Sequence, residues 1–232
     1  MAKLADNKVI VLDKIPFEFS VEGILKSTRM HGDPRRFEPG IRSLINIVTP
    51  VARPKVLIKV VCVDHKTADT LQIDGVEIDS KLVRVNLDPV ETAFVCLTTI
   101  GTEVEALEQP KDVMLRFCLD DMKNQLLFAA TGYLKKFLQE NYQTGTLTNL
   151  NPGETASFPI AYQKKIFQII GDVEGYIGVR LSENCALLPT KSHSGIYFST
   201  AVEFISCRLC TNQRCSGRRA PYEPDLALQF KK

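Results

Sequence analysis

The longest unbroken hydrophobic periodicity in the chain runs from Lys111 to Glu140. Val113, Phe117, Leu126, Ala130, Leu134, Phe137 and Leu138 recur at helical spacing, which predicts one long helix buried along one face. Its apolar stripe reads as core, not as a cofactor site. Strand signals stand before it: KVLIKVVCV from Lys55, TLQIDGVEI, KLVRVNL, and AFVCLTTIG ending at Gly101. Asp74-Gly75 lies between two alternating runs, which is the signature of a hairpin turn. The first ~50 residues read as helical. Ser20 is placed to cap VEGILKSTRMH, and Asp33-Pro34 to start a second helix whose middle Pro39 and Gly40 weaken.

After the long helix the stretch Tyr142 to Phe158 turns polar and reads as a connection. A short helix, YQKKIFQII, follows it; GYIGVRL and NCALLPT then read as strand or turn leading into SGIYF. Strands clustered between helical blocks predict an α+β fold with a mixed or antiparallel sheet and a long buried helix. Three segments are expected: N-terminal helices and a hairpin region over 1–90, a core over 91–205, and a cysteine-rich segment over 206–232.

Composition narrows the function classes. Lys and Arg number 29 and Asp and Glu 27, a net charge of +2, without the basic surface that nucleic-acid binding requires. No apolar run reaches membrane-spanning length, and MAKLADNKVIVLDKI has no signal-peptide apolar region. A cytoplasmic location is expected. Seven cysteines, an odd number, do not suit a disulfide framework in a reducing compartment. Cys62, Cys96 and Cys118 stand in apolar surroundings and are expected as buried thiols.

Cys207, Cys210 and Cys215 form a C-x2-C-x4-C run. Three readings stand: structural zinc, an iron–sulfur cluster, or three unconnected thiols. Zinc needs a fourth ligand, for which Cys185 and His193 are the candidates. Arg218-Arg219 would set positive charge beside such a site. Lys191, His31 and His65 read as surface residues, and His193 as a surface loop residue or a ligand. There is no G-x-S-x-G, H-E-x-x-H or P-loop, and Asp120-Asp121 and Glu103-x-Glu105 read as solvated acidic positions.

Several pieces together, LLPTKSHSGIYF (187–198), its lead-in GVRLSENCALLP, the Pro152-Gly153 loop before YQKKIF, and FVCLTTIG before the long helix, resemble the reactivation domain of cobalamin-dependent methionine synthase. The resemblance is closer to the stand-alone bacterial proteins similar to that domain, and spans roughly Phe94 to Tyr222. It implies S-adenosylmethionine binding and docking on a corrinoid protein. There, one electron and the sulfonium methyl group together return Co(II) corrinoid to methylcobalamin, with rate gained from orientation. It also implies Pro152, Gly153, Ser194, Gly195 and Tyr197 as ligand contacts, with Ser194-Gly195 forming a turn and Tyr197 lying along the ligand.

The chain departs from the family pattern at three positions. Asn149 stands where the family has the arginine that pairs with the ligand carboxylate, and Glu154 where it has a tyrosine. Phe128 replaces the acidic residue of the long helix, although Asp120 keeps its place. An amide in place of a bidentate cation, beside a new carboxylate, weakens recognition of an amino-acid carboxylate. Two functions follow: a corrinoid reactivation factor using S-adenosylmethionine, or a non-enzymatic accessory protein with an iron–sulfur or zinc site that docks on a corrinoid protein without it. A separate electron donor is a possible second partner.

Overall fold

In the computed structural model, which describes residues 8–29, 34–142, 144–201, 203–215 and 217–230, the chain opens with β1 (Val9–Leu12), α1 (Val21–Thr28) and a 3-10 turn leading into α2 (Glu38–Val48). Next come β2 (Lys55–Asp64), β3 (Leu71–Ile73), β4 (Val76–Ile78), α3 (Lys81–Asn86) and β5 (Thr92–Thr99). They are followed by α4 (Thr102–Glu105), the 30-residue α5 (Val113–Tyr142) and β6 (Leu147–Leu150). The last part holds α6 (Gln163–Ile170), α7 (Val173–Ile177), β7 (Arg180–Leu181), β8 (Leu187–Leu188), β9 (Ser192–Ser199) and α8 (Pro224–Gln229). The class is α+β, as expected. His31 and Asp33 lie outside the described residues.

Among the described residues seven strands form one antiparallel sheet in the order β4-β3-β2-β5-β9-β6, with β1 paired to the N-terminal half of β2. The sheet crosses the expected boundary at residue 90, because β2 and β5 pair along eight register positions from Lys55↔Thr99 to Cys62↔Thr92. Strand alternation supplies both faces. Val56, Ile58, Val60, Phe94, Cys96 and Tyr197 pack with Ala130, Leu134 and Leu138 of α5. Leu57, Val61, Ala93, Val95, Leu97, Ile196 and Phe198 face Ile166, Ile169 and Val173 of α6 and α7. A sheet covered on both faces reads in sequence as near-continuous apolar runs, as β2 and β5 do.

Helix α5 is about 45 Å long and changes partner midway. Cys118, Leu119, Met122 and Leu126 pack on Ile24 of α1 and on Ile41, Leu44 and Val48 of α2, while its C-terminal half covers the sheet. The buried positions step by four, so the stripe drifts round the helix. Val113 and Phe117, expected inside, are exposed. Cys96 and Cys118 are buried, but Cys62 is exposed.

Local chemistry explains where the pattern misleads. KLVRVNL reads as a strand but forms α3, because the Ser80 hydroxyl accepts from Val83 N and Leu82, Val83 and Leu87 turn inward. GYIGVRL holds the end of α7, which Asp172 caps through Gly175 N at 2.9 Å and Gly178 ends at φ 73°. Pro39 and Gly40 sit in the first turn of α2, where proline costs no hydrogen bond. VIVL became β1 and part of the polar connection became β6, both through pairing with distant strands.

Charged side chains fasten the segment leading into β9 onto the helices. Lys123, buried on α5, meets Glu105 at 2.9 Å, and the Glu105 carboxylate also accepts from Thr190 at 3.1 Å. Lys191 reaches Asp120 and Asn124 of α5 at 2.9 Å each. Glu105 is therefore a half-buried brace, while Asp120 braces Lys191 from an exposed position, as expected for a solvated acidic residue. Among the described residues no helix is long and apolar enough to cross a membrane.

Candidate functional site

Where β6 ends, Asn151 to Phe158 make a compact loop. Gly153 N donates to Phe158 O at 2.8 Å, Glu154 N to Asn151 O at 3.3 Å, and Phe158 N to Thr155 O at 3.2 Å. Gly153 adopts φ 95°, a conformation that glycine reaches at little cost. Asn151 is buried, and its amide nitrogen donates to the Glu154 carboxylate at 2.5 Å. Its amide oxygen, which has no hydrogen-bond partner among the described residues, fills the space a side chain at Gly195 would need.

This loop, the start of α6 and the 185–194 segment enclose a cleft of about 360 Å³. Pro152, Gly153, Glu154, Gln163, Cys185, Thr190, His193 and Ser194 are among its walls. The buried Ser194 hydroxyl donates to Gln163 Oε1 at 2.7 Å, joining β9 to α6. Glu154 carries the fixed negative charge, with His193 Nε2 at 3.9 Å. Burial alone would raise its carboxyl, but the neighbouring His193, Asn151 and Ser206 side chains outweigh that and hold it below its ordinary value.

A carboxylate depressed in the folded state contributes stability that is complete above its unfolded pKa and is lost as pH falls through the folded value. Glu154→Gln is therefore expected to cost about 1 kcal/mol at neutral pH, with the difference from wild type shrinking as pH falls through the carboxylate range. Urea midpoints over a pH series measure it; a difference constant with pH would remove Glu154 from this role.

The structure brings Pro152, Gly153 and Ser194 together on the cleft wall. It does not bring Gly195 and Tyr197 there. Ser194 and Gly195 are not a turn: both lie inside β9, paired with Leu97 and Cys96. Tyr197 does not lie along a cleft. It is 1% exposed, against Phe94, Cys96, Leu134 and Leu138, and burial pushes its phenol far above the ordinary range. Asn149 pairs with Tyr197 in β6, and Phe128 is 72% exposed on α5; neither lines the cleft. Asn151 and Gln163 are the site residues that sequence reasoning missed; an asparagine before Pro-Gly was the available signal for the first.

The cysteine run is arranged differently from the expected ligand set. Among the described residues no group of three or more His, Cys, Asp and Glu side chains is placed to hold a metal ion. Cys185 and His193, the candidate fourth ligands, line the cleft instead. The loop is organised by Arg218, whose guanidinium donates to the carbonyls of Cys207 (2.9 Å), Ala220 (2.8 Å), Cys210 (2.7 Å) and Asn212 (2.8 Å). Arg219 pairs with Glu203 at 3.0 Å. Arrayed this way, the residues do not fit zinc or an iron–sulfur cluster.

Nor do the cleft residues fit the whole of S-adenosylmethionine. Glu154 suits an ammonium group, but no lysine or arginine is among the described residues lining the cleft to meet a carboxylate. No protein-family model and no curated protein matches the chain. A solved structure does: the crystal structure of the MetH reactivation domain bound to AdoHcy aligns with a TM-score of 0.61 at 16% identity, covering 85% of this chain and 80% of that one. The antiparallel sheet, the long helix across one face and the order of elements thus give this chain the fold of the MetH reactivation domain.

Proposed function

We propose that the protein is a non-enzymatic accessory factor that docks on a corrinoid protein and supports its return from the Co(II) state, without holding S-adenosylmethionine itself. The observation that carries this reading is a cleft, in the fold of a methionine synthase reactivation domain, walled by Glu154 and His193 and, among the described residues, by no lysine or arginine. The residues have structural parts to play. Lys123 and Lys191 fix the entry to β9, Ser194 and Gln163 join β9 to α6, and Asn151 holds the Glu154 carboxylate beside His193. A rigid wall of this kind positions a partner; it does not supply the methyl group.

Two measurements test the proposal. Calorimetric titration with S-adenosylmethionine is expected to give no binding heat up to about 1 mM, a threshold near −4 kcal/mol. Addition of the protein to a Co(II) corrinoid protein is expected to form a complex and change the Co(II) electron paramagnetic resonance spectrum. No complex and no spectral change would end the docking reading. Micromolar binding of S-adenosylmethionine would instead establish the second reading, a reactivation factor that uses it for reductive methylation. Glu154, which suits the ligand's ammonium group, is the observation favouring that second reading.

A further inference from the structure

We propose that Cys207 and Cys210 are a reversible dithiol–disulfide pair, exchanging with low-molecular-weight disulfides and thiols. The inference is independent of corrinoid docking and starts from the mismatch between the cysteine run and a metal site. Cys210 N donates to Cys207 O at 3.3 Å, closing a turn over residues 207–210 in which Leu209 adopts φ −102° and ψ −7°. Such a turn keeps its end Cα atoms within about 7 Å, and a disulfide spans about 4.4–6.8 Å. The turn is fixed at four points. Arg208 makes a two-bond pair with Glu223 at 2.6 and 2.7 Å, Leu209 is buried in the core, and Arg218 gathers the carbonyls of both cysteines. All three thiols are free; Cys207 and Cys210 are half-buried residues and Cys215 is exposed.

Arg218 does for this loop what a metal does in a cysteine knuckle: it draws separate strands of backbone to one centre. That leaves the sulfurs outside any metal-holding group among the described residues; the Cys207 sulfur accepts the Arg219 backbone N–H at 3.4 Å. In the exchange, the Cys207 and Cys210 thiols lose two protons and two electrons as one S–S bond forms. The electrons cleave the S–S bond of the small disulfide, and the protons complete its two thiols. Cys215 is exposed and lies outside the turn.

The sequence makes the test direct, because trypsin places each cysteine on its own peptide: 192–208, 209–214 and 215–218. The full chain is equilibrated with a series of glutathione ratios in the presence of a chelator, then alkylated, digested without reduction and sequenced by mass spectrometry. The expected product links 192–208 to 209–214. It should persist in Cys215→Ser, vanish in Cys210→Ser, and fall about tenfold relative to the dithiol at a fixed ratio in Arg218→Gln, which removes charged hydrogen bonds. Bridges that run to Cys215, or no bridge at any ratio, would overturn the proposal. So would one zinc, or one iron–sulfur cluster, per chain that protects all three cysteines from alkylation in unchelated protein.

Discussion

Tyr197→Ala is expected to lower unfolding free energy by about 3–5 kcal/mol, the usual cost of removing a buried aromatic ring. The ring packs in one buried cluster with Phe94 and Cys96 of β5 and Ala130, Leu134 and Leu138 of α5. Nothing near it can collapse easily, because the strand is held on both edges, by β5 and by β6. Tyr197→Phe keeps the ring and should change stability by less than about 1.5 kcal/mol. Denaturant midpoints of the two variants decide the matter. An alanine variant with an unchanged midpoint would mean that Tyr197 is not core, and would reopen its role as a ligand contact.

Gly195→Ala should cost about 1–3 kcal/mol, as overpacking does in a closed site. A Cβ there would stand 2.1 Å from Asn151 Oδ1 and 3.1 Å from Leu150 O. The second obstacle is backbone, in the neighbouring strand's last residue, and cannot move without breaking pairing at Leu150↔Ile196. The first is an amide held through its other end by Glu154. The strain therefore reaches the cleft: the Asn151–Glu154 contact should open, and Glu154 should lose part of its support. The companion variant Gly195→Ala with Asn151→Gly removes the nearer obstacle and should recover part of the loss. No recovery would place the whole cost on the backbone contact.

Much of the fold was legible because its signals are local. The Ser20 cap, the Asp74-Gly75 turn and the apolar runs of β2 and β5 act within a few residues of themselves, and the structure contains each of them. The failures have a common origin. In KLVRVNL the spacing of Leu82, Val83, Val85 and Leu87 suits either a strand or a short helix, and the cap at Ser80 decided it. The β6 residues LTNL carry too little apolar content to announce a strand. They became one because β9 offered an open edge, and the buried Thr148 is satisfied by Phe204, whose backbone N–H it accepts at 3.0 Å.

The site divides along the same line. Sequence by itself determined the α+β class, the long helix, the loop at Pro152-Gly153 and the presence of three closely spaced thiols, since each depends on residues near one another in the chain. Tertiary structure alone decided which face of β9 meets α5, and with it that Tyr197 is core while Ser194 joins α6. It also decided that the cysteine loop closes on Arg218. A strand's side chains alternate by necessity, but which set faces inward is fixed only when its neighbours arrive from distant parts of the chain.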